Sequence, residues 1–226
     1  MKQTCSTFMN NRSYNQYCGL AYALELLGER WTILLIRELV AGPRRFKDLL
    51  NGLPGISTNL LTERLKHLEL HGMIVRQVLA PPAGSTVYGL TDLGRGLEPT
   101  LIELGKWGSQ FVPASSEHVH ILTIGSYALT LKTFFRPELA QFRASYQWHV
   151  DGELLSITID HGQLHIQQGP SQQPDAIIHT TIELYLQLLQ GAISPQQAVA
   201  QGLMHIQGDL AALDRFLACC AINTPT

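Results

Sequence analysis

Charge is scarce in this 226-residue chain: Asp, Glu, Lys and Arg together supply 15% of it. Beside 45% apolar residues, that excludes the charge excess and low hydrophobicity of a disordered polypeptide, and the chain reads as globular. Cysteine is sparse as well. Cys5, Cys18, Cys219 and Cys220 show no CxxC spacing, and the adjacent last two are a poor frame for an ordinary disulfide, so free thiols in a reducing compartment are expected. No apolar run approaches the ~20 residues of a membrane span, and the opening MKQTCSTFMNNRSYNQYC has no apolar core of the signal-peptide kind. The expectation is a cytoplasmic protein with no membrane partner. Also lacking are a phosphate-binding loop, a Ser/His/Asp order and paired catalytic carboxylates, so neither an enzyme nor a cofactor is expected. Seven of the nine His lie in the second half, yet His161 and His165 straddle Gly162 and Asp160 is not spaced as a third ligand; no metal site is expected.

The length fits one large domain or two small ones. The net charge of −2 argues against a nucleic-acid partner only until it is divided along the chain. Through Val112 twelve Lys/Arg stand against nine Asp/Glu, a balance of +3; beyond it four stand against nine, a balance of −5. Only the first half has the sign of a phosphate binder.

Along that half, Leu20, Leu24 and Leu27 repeat at helical spacing before Gly28. A second helix presents Trp31, Leu34, Leu35 and Leu39 and stops at the turn Ala41 to Pro43. A short segment with Phe46, Leu49 and Leu50 ends at Pro54 and Gly55. Ser57 then caps a longer helix with a Leu61, Leu65, Leu68 stripe, closed by Gly72. MIVRQVLA, the turn PPAGST and VYGLT predict a hairpin, and Asp92 opens a helix running through Leu97, Leu101, Leu104 and Trp107. Four helices, a hairpin and a helix, with a tight turn inside the third and fourth, is the order of a winged helix-turn-helix.

Periodicity is lost around residues 111–119, which read as a linker between domains at 1–110 and 120–226. The second domain opens with an apolar helix from Ile121 to Phe135. Three strand-like runs follow, SYQWHVDG, ELLSITIDHG and QLHIQQGP, punctuated by Asp151-Gly152 and His161-Gly162. A fourth strand at Ala176 to Thr180, helices at 182–190 and 195–201, a strand in LMHIQG and a closing helix capped by Asp209 complete an α+β pattern.

The stretch Tyr17 to Gly108 resembles the HxlR-type winged helix transcriptional regulators. The resemblance is carried by Cys18, Gly28-x-x-Trp31-Thr32, Gly42-Pro43-Arg44-Arg45-Phe46, Gly55-Ile56-Ser57 and Val87-Tyr88-x-Leu90-Thr91-x-x-Gly94. Residues from about 120 to 220 are similar to the sterol carrier protein 2 type in their pattern of elements, including Pro174 to Ala176, the LLQG ending and Gly208 to Leu213. Together these imply a one-component, dimeric DNA-binding regulator with a C-terminal effector or interaction domain. They also imply a redox-sensing role for Cys18, against the plainer alternative of a small buried hydrophobe.

On the wheel set by Leu61, Leu65 and Leu68, the opposite face of the longer helix carries Asn59, Thr62, Glu63 and Lys66, with Ser57 and Thr58 at its first turn. Short polar groups there can reach base edges, while Arg44, Arg45, Lys47, Arg64 and Lys66 would contact the backbone of double-stranded DNA. The wing tip has no Lys or Arg, leaving Arg76 as the nearby cation. A homodimer on a pseudo-palindromic operator is expected, its interface drawn from Leu101, Leu104, Trp107 and the helix at Leu20 to Leu27. In the second domain an apolar small-molecule effector would sit between sheet and helices, walled by Trp148, Leu155, Ile157, Ile159, Leu164, Ile166, Leu184, Leu188, Val199 and Leu203. A filled core with no cavity is the alternative. The rival overall reading is a lipid carrier whose helix-turn-helix serves only dimerisation.

Overall fold

The computed structural model describes residues 13–79, 84–111 and 123–220. Its first half holds α1 (Gly19–Leu27), α2 (Thr32–Val40), β1 (Arg44–Arg45), α3 (Phe46–Gly52), α4 (Thr58–Leu70), β2 (Ile74–Val78), β3 (Thr86–Leu90), α5 (Asp92–Arg95) and α6 (Glu98–Ser109). The Leu stripe of α4 does what its period predicts: Leu61, Leu65 and Leu68 are buried with Leu49, Leu53 and Ile56 around the turn that joins α3 to α4. Ser57 Oγ accepts from Leu60 N at 3.2 Å and so fixes where α4 begins. Strands β2 and β3 form the wing, with Arg76 opposite Tyr88, and the short β1 adds to the other edge of β3.

Three expectations change in this half. Leu34, read as sharing the inner face of the second helix with Trp31, Leu35 and Leu39, is 39% exposed, whereas Leu35 and Leu39 are buried. The two-residue strand β1 occupies what reads as a helix start, because Arg44 and Arg45 pair with Tyr88 and Val87 far along the chain. The helix expected from Asp92 is broken into α5 and α6 around Gly96 and Leu97, with Pro99 at the start of α6. Thr91, not Asp92, caps α5: its hydroxyl accepts from Gly94 N and donates to Gly72 O. Gly94 is required there by close packing, as a Cβ would stand 2.1 Å from the Met73 carbonyl oxygen.

The second half contains α7 (Ile124–Phe134), a single tight turn at Pro137–Leu139, β4 (Arg143–Val150), β5 (Glu153–Asp160), β6 (Gln163–Gln168), β7 (Ala176–Thr180), α8 (Ile182–Leu189), α9 (Pro195–Ala200), β8 (His205–Gly208) and α10 (Leu210–Cys220). The sheet order is β6-β5-β4-β7-β8, and β4 pairs with β7 in parallel while the other neighbours are antiparallel. The hairpins turn where expected, since Asp151-Gly152 and His161-Gly162 all have positive φ, the geometry of two-residue turns that match strand twist. The fold class is α+β throughout. All but Phe111 of the expected linker lies outside the described residues, as do Cys5, Ile121 and part of the wing tip.

Along β4 every second residue, Ala144, Tyr146, Trp148 and Val150, is buried. That face meets α7, α8 and α10 in one core. Ring contacts fill it: Trp148 lies edge-on to Tyr185 at 5.1 Å between centroids and 5.4 Å from Phe216, which is 5.1 Å from Tyr146. Helix α7 also packs on α2 and α6 of the winged half. At that seam Gly125 lies so close that a Cβ would stand 2.5 Å from the Glu38 Cα.

Candidate nucleic-acid interface

The face of α4 opposite its Leu stripe is open. Ser57, Thr58, Asn59, Thr62 and Lys66 are all exposed along it. The Thr62 hydroxyl donates to Thr58 O at 2.8 Å, one turn earlier in the helix. Arg45, Lys47 and Arg76 are exposed beside them, on β1, α3 and the wing strand β2. None of Arg45, Lys47, Lys66 and Arg76 enters an ion pair among the described residues. A helix that starts with exposed short polar groups and is flanked by uncommitted cations can insert into a major groove and clamp phosphates on either side.

Two of the expected phosphate contacts are corrected. Arg64 is buried: its Nη2 lies 2.9 Å from Glu29 Oε2, its Nη1 3.0 Å from Glu63 Oε1, and its Nε donates to Arg30 O. It fastens α4 to the turn before α2, where Arg30 also lies over the Trp31 ring. Arg44 is buried too, because in the two-residue β1 the side chains alternate and Arg45 takes the solvent side.

The expected effector walls are likewise redistributed. Trp148, Leu155, Ile157, Ile159, Ile166, Leu184 and Leu188 are buried in the core that the aromatic rings fill, with Leu164 partly buried against it. Val199 and Leu203 are 36% and 51% exposed and stand outside that core; of α9 only Pro195 and Ala198 are buried. Of the ten, Leu155 alone lines a cavity of about 240 Å³ that lies instead at the seam with the winged half.

Cys18 stands at the N-cap of α1 with an exposed thiol, and the backbone N–H groups of Ala21 and Leu20 hold its pKa below the usual thiol value. Cys219 and Cys220 are buried, and burial pushes both thiols up. The sequence reading passed over Glu38, a carboxylate with no exposed side-chain area whose Oε1 accepts from Arg37 Nε and Nη2. One charge inside the apolar run TILLIRELV was its available signal.

The winged helix with an open fourth helix defines a helix-turn-helix protein of the DNA-binding kind. The chain belongs to the HxlR-like helix-turn-helix family, whose model matches residues 26–116, and residues 131–219 match the SCP-2 sterol transfer family. Among its relatives, the HTH-type transcriptional regulator sll1512 of Synechocystis is 42% identical over 106 residues, covering 47% of this chain and 78% of the relative. The HTH-type transcriptional regulator YodB of Bacillus subtilis is 42% identical over 89 residues, 39% of this chain and 80% of its own. The structure of the reduced form of YodB aligns at 38% identity over 44% of this chain and 99% of that one, with a TM-score of 0.39. No helix among the described residues is long and apolar enough to cross a membrane.

Proposed function

We propose that the chain is a one-component transcriptional regulator acting in the cytoplasm, which binds a pseudo-palindromic duplex site as a homodimer. The observation that carries this is the exposed face of α4, which bears Asn59, Thr62 and Lys66 and has Arg45, Lys47 and Arg76 beside it, none of the four cations in an ion pair among the described residues. Relatives named as transcriptional regulators support the reading. The dimer contact falls to apolar side chains that a single chain leaves open: Leu20, Tyr22 and Leu24 of α1, and Leu104 and Trp107 of α6. Leu101 is excluded from that contact, being buried in its own core. Trp107 is 61% exposed with Phe111 stacked edge-on beside it, an arrangement that water disfavours.

The exposed Cys18 with its lowered pKa supports a redox-responsive thiol. YodB has been crystallised in reduced, quinone-bound and diamide-treated forms. The C-terminal SCP-2 domain supports a small-molecule effector. A gel shift on the DNA upstream of the protein's own coding region, run over a salt series beside light scattering, tests the core of this. Specific binding with a steep negative salt slope and a dimeric mass is expected. A tight complex of a monomer, or no discrimination from random duplex, would defeat it and leave the lipid-carrier reading.

A further inference from the structure

We infer that the cleft between the winged half and the sheet binds a small apolar molecule bearing one carboxylate, with Arg44 as its anchor. The cavity of about 240 Å³ lies where β1 and α3 meet the start of α7 and the β4 to β5 turn. Arg44 lines it at 4% exposure, and its Nε and Nη1 have no hydrogen-bond partner among the described residues. A guanidinium that has left water without gaining an acceptor is costly, so a built acceptor is wanting at this wall. The nearby carboxylates do not supply it. Asp48 accepts from Arg45 N, Asp151 from Ile182 N at 2.9 Å and Glu153 from Gln168 Nε2 at 3.2 Å, and none of them forms an ion pair with Arg44.

The same three acids choose the ligand. A planar guanidinium fork suits an anion with two acceptor oxygens, and neighbouring negative charge favours a singly charged carboxylate over a phosphate. Ile124, Val150, Leu155 and Ile182 give part of the wall an apolar character suited to a small hydrocarbon body, beside the polar Asn51, Thr123 and Tyr127. The volume sits below the usual ~300–1,000 Å³ of ligand sites, so the occupant is compact and not a sterol or long acyl chain. Occupancy would matter to DNA because Arg44 pairs with Tyr88 of the wing strand and is joined to α3 through its neighbour Arg45, the N-cap of that helix. That consequence rests on the regulator reading above; the site itself does not. A ligand held from both sides of the seam shifts the winged half only as far as it prefers one arrangement.

The test is calorimetric titration of the full chain, without DNA, with butyrate, octanoate and benzoate, each against its alcohol. Saturable binding of at least one acid is expected, with its alcohol weaker by about ten-fold or more. Arg44→Gln should erase that difference. Asn51→Trp, at the exposed mouth of the cavity, should weaken acid and alcohol together while keeping Arg44. Should Arg44→Gln fail to fold by circular dichroism, the acid and alcohol pairs and Asn51→Trp decide the matter. Saturation by no acid, equal binding of acid and alcohol, or binding unaffected by Asn51→Trp would overturn the site. Because DNA is absent, a failed gel shift would leave this result standing, and a failed titration would leave the gel shift standing.

Discussion

Thr123 Oγ1 donates to Glu38 Oε1 and thereby ties the start of α7 to the middle of α2, 85 residues earlier in the chain. The same hydroxyl caps α7, accepting from Ser126 N at 3.2 Å, and Arg37 Nη2 also reaches Glu38 Oε1 at 2.6 Å. Donors from Arg37 and Thr123 converge on Oε1 of this buried carboxylate, while its Oε2 has no partner among the described residues. Gly125 next to it lets α7 approach α2 at backbone contact.

This strut should hold the two halves together. Thr123→Val removes the cap and the donor at once and should cost about 1–2 kcal/mol of stability in urea unfolding, with Thr123→Ser close to wild type. Gly125→Val should cost more than Thr123→Val, because backbone on α2 must move to admit the side chain. Equal stability of Gly125→Val and wild type would mean that α7 does not pack on α2.

The two arginine types should separate cleanly. Arg64→Ala removes the ion pairs with Glu29 and Glu63 and should lower the unfolding midpoint, a structural loss of about 1–3 kcal/mol. Lys66→Ala and Arg45→Ala should leave that midpoint nearly unchanged, weaken binding to every duplex and flatten the salt slope by about one unit each. Asn59→Ala or Thr62→Ala should instead relax discrimination at a base position by roughly 1–3 kcal/mol. Gel shifts on specific and random duplexes, with urea melts alongside, distinguish all three behaviours. An Arg64→Ala protein of unchanged stability would return that residue to the surface.

Cysteine labelling should be ordered by position. The lowered pKa of Cys18 keeps its thiolate populated further down in pH, whereas the raised values of Cys219 and Cys220 keep those thiols protonated. Iodoacetamide on the native protein should therefore modify Cys18 before Cys219 and Cys220, and its rate should fall off at lower pH than theirs. Peptide mapping by mass spectrometry reads this directly. Modification of Cys220 at the rate of Cys18 would show that α10 opens readily.

What the sequence revealed and what it hid have the same physical origin. Periodicity reports that a helix has an apolar face, and for α4 that face is covered by neighbours in the same chain; for α1, at the identical spacing, Leu20 and Leu24 are exposed and Leu27 alone packs on the core. The turns at Asp151-Gly152 and His161-Gly162 were legible because positive φ is a local demand on residue type. Arg44 and Arg45 were not separable, since which of two adjacent cations turns inward depends on pairing with Val87 and Tyr88 far away. For the same reason alternation in β4 and β5 marked the buried face correctly but could not show that aromatic rings fill the space above it.

Acid should loosen the sheet through its histidines. His149 and His179 stack across β4 and β7 at 4.1 Å between ring centroids, and His205 on β8 lies 6.0 Å from His179. Gln147 Nε2 stands 3.0 Å from His149 Nε2, a contact in which the amide donates to a neutral ring. The pKa of His179 is lowered, first by burial and then by the charges that His149 and His205 would carry. A folded value below the unfolded one, about 6.5, means that the folded state binds fewer protons. The stability is therefore full above about pH 6.5 and lost as pH falls through the folded value. The thermal midpoint should drop between about pH 7.5 and about pH 5.5, and the drop should shrink in His149→Gln/His205→Gln, where His179 loses both like-charged neighbours. The exposed His165 on β6 serves as control, and His165→Gln should leave the drop as it is. A double variant that falls as steeply as wild type would place the acid sensitivity outside this stack.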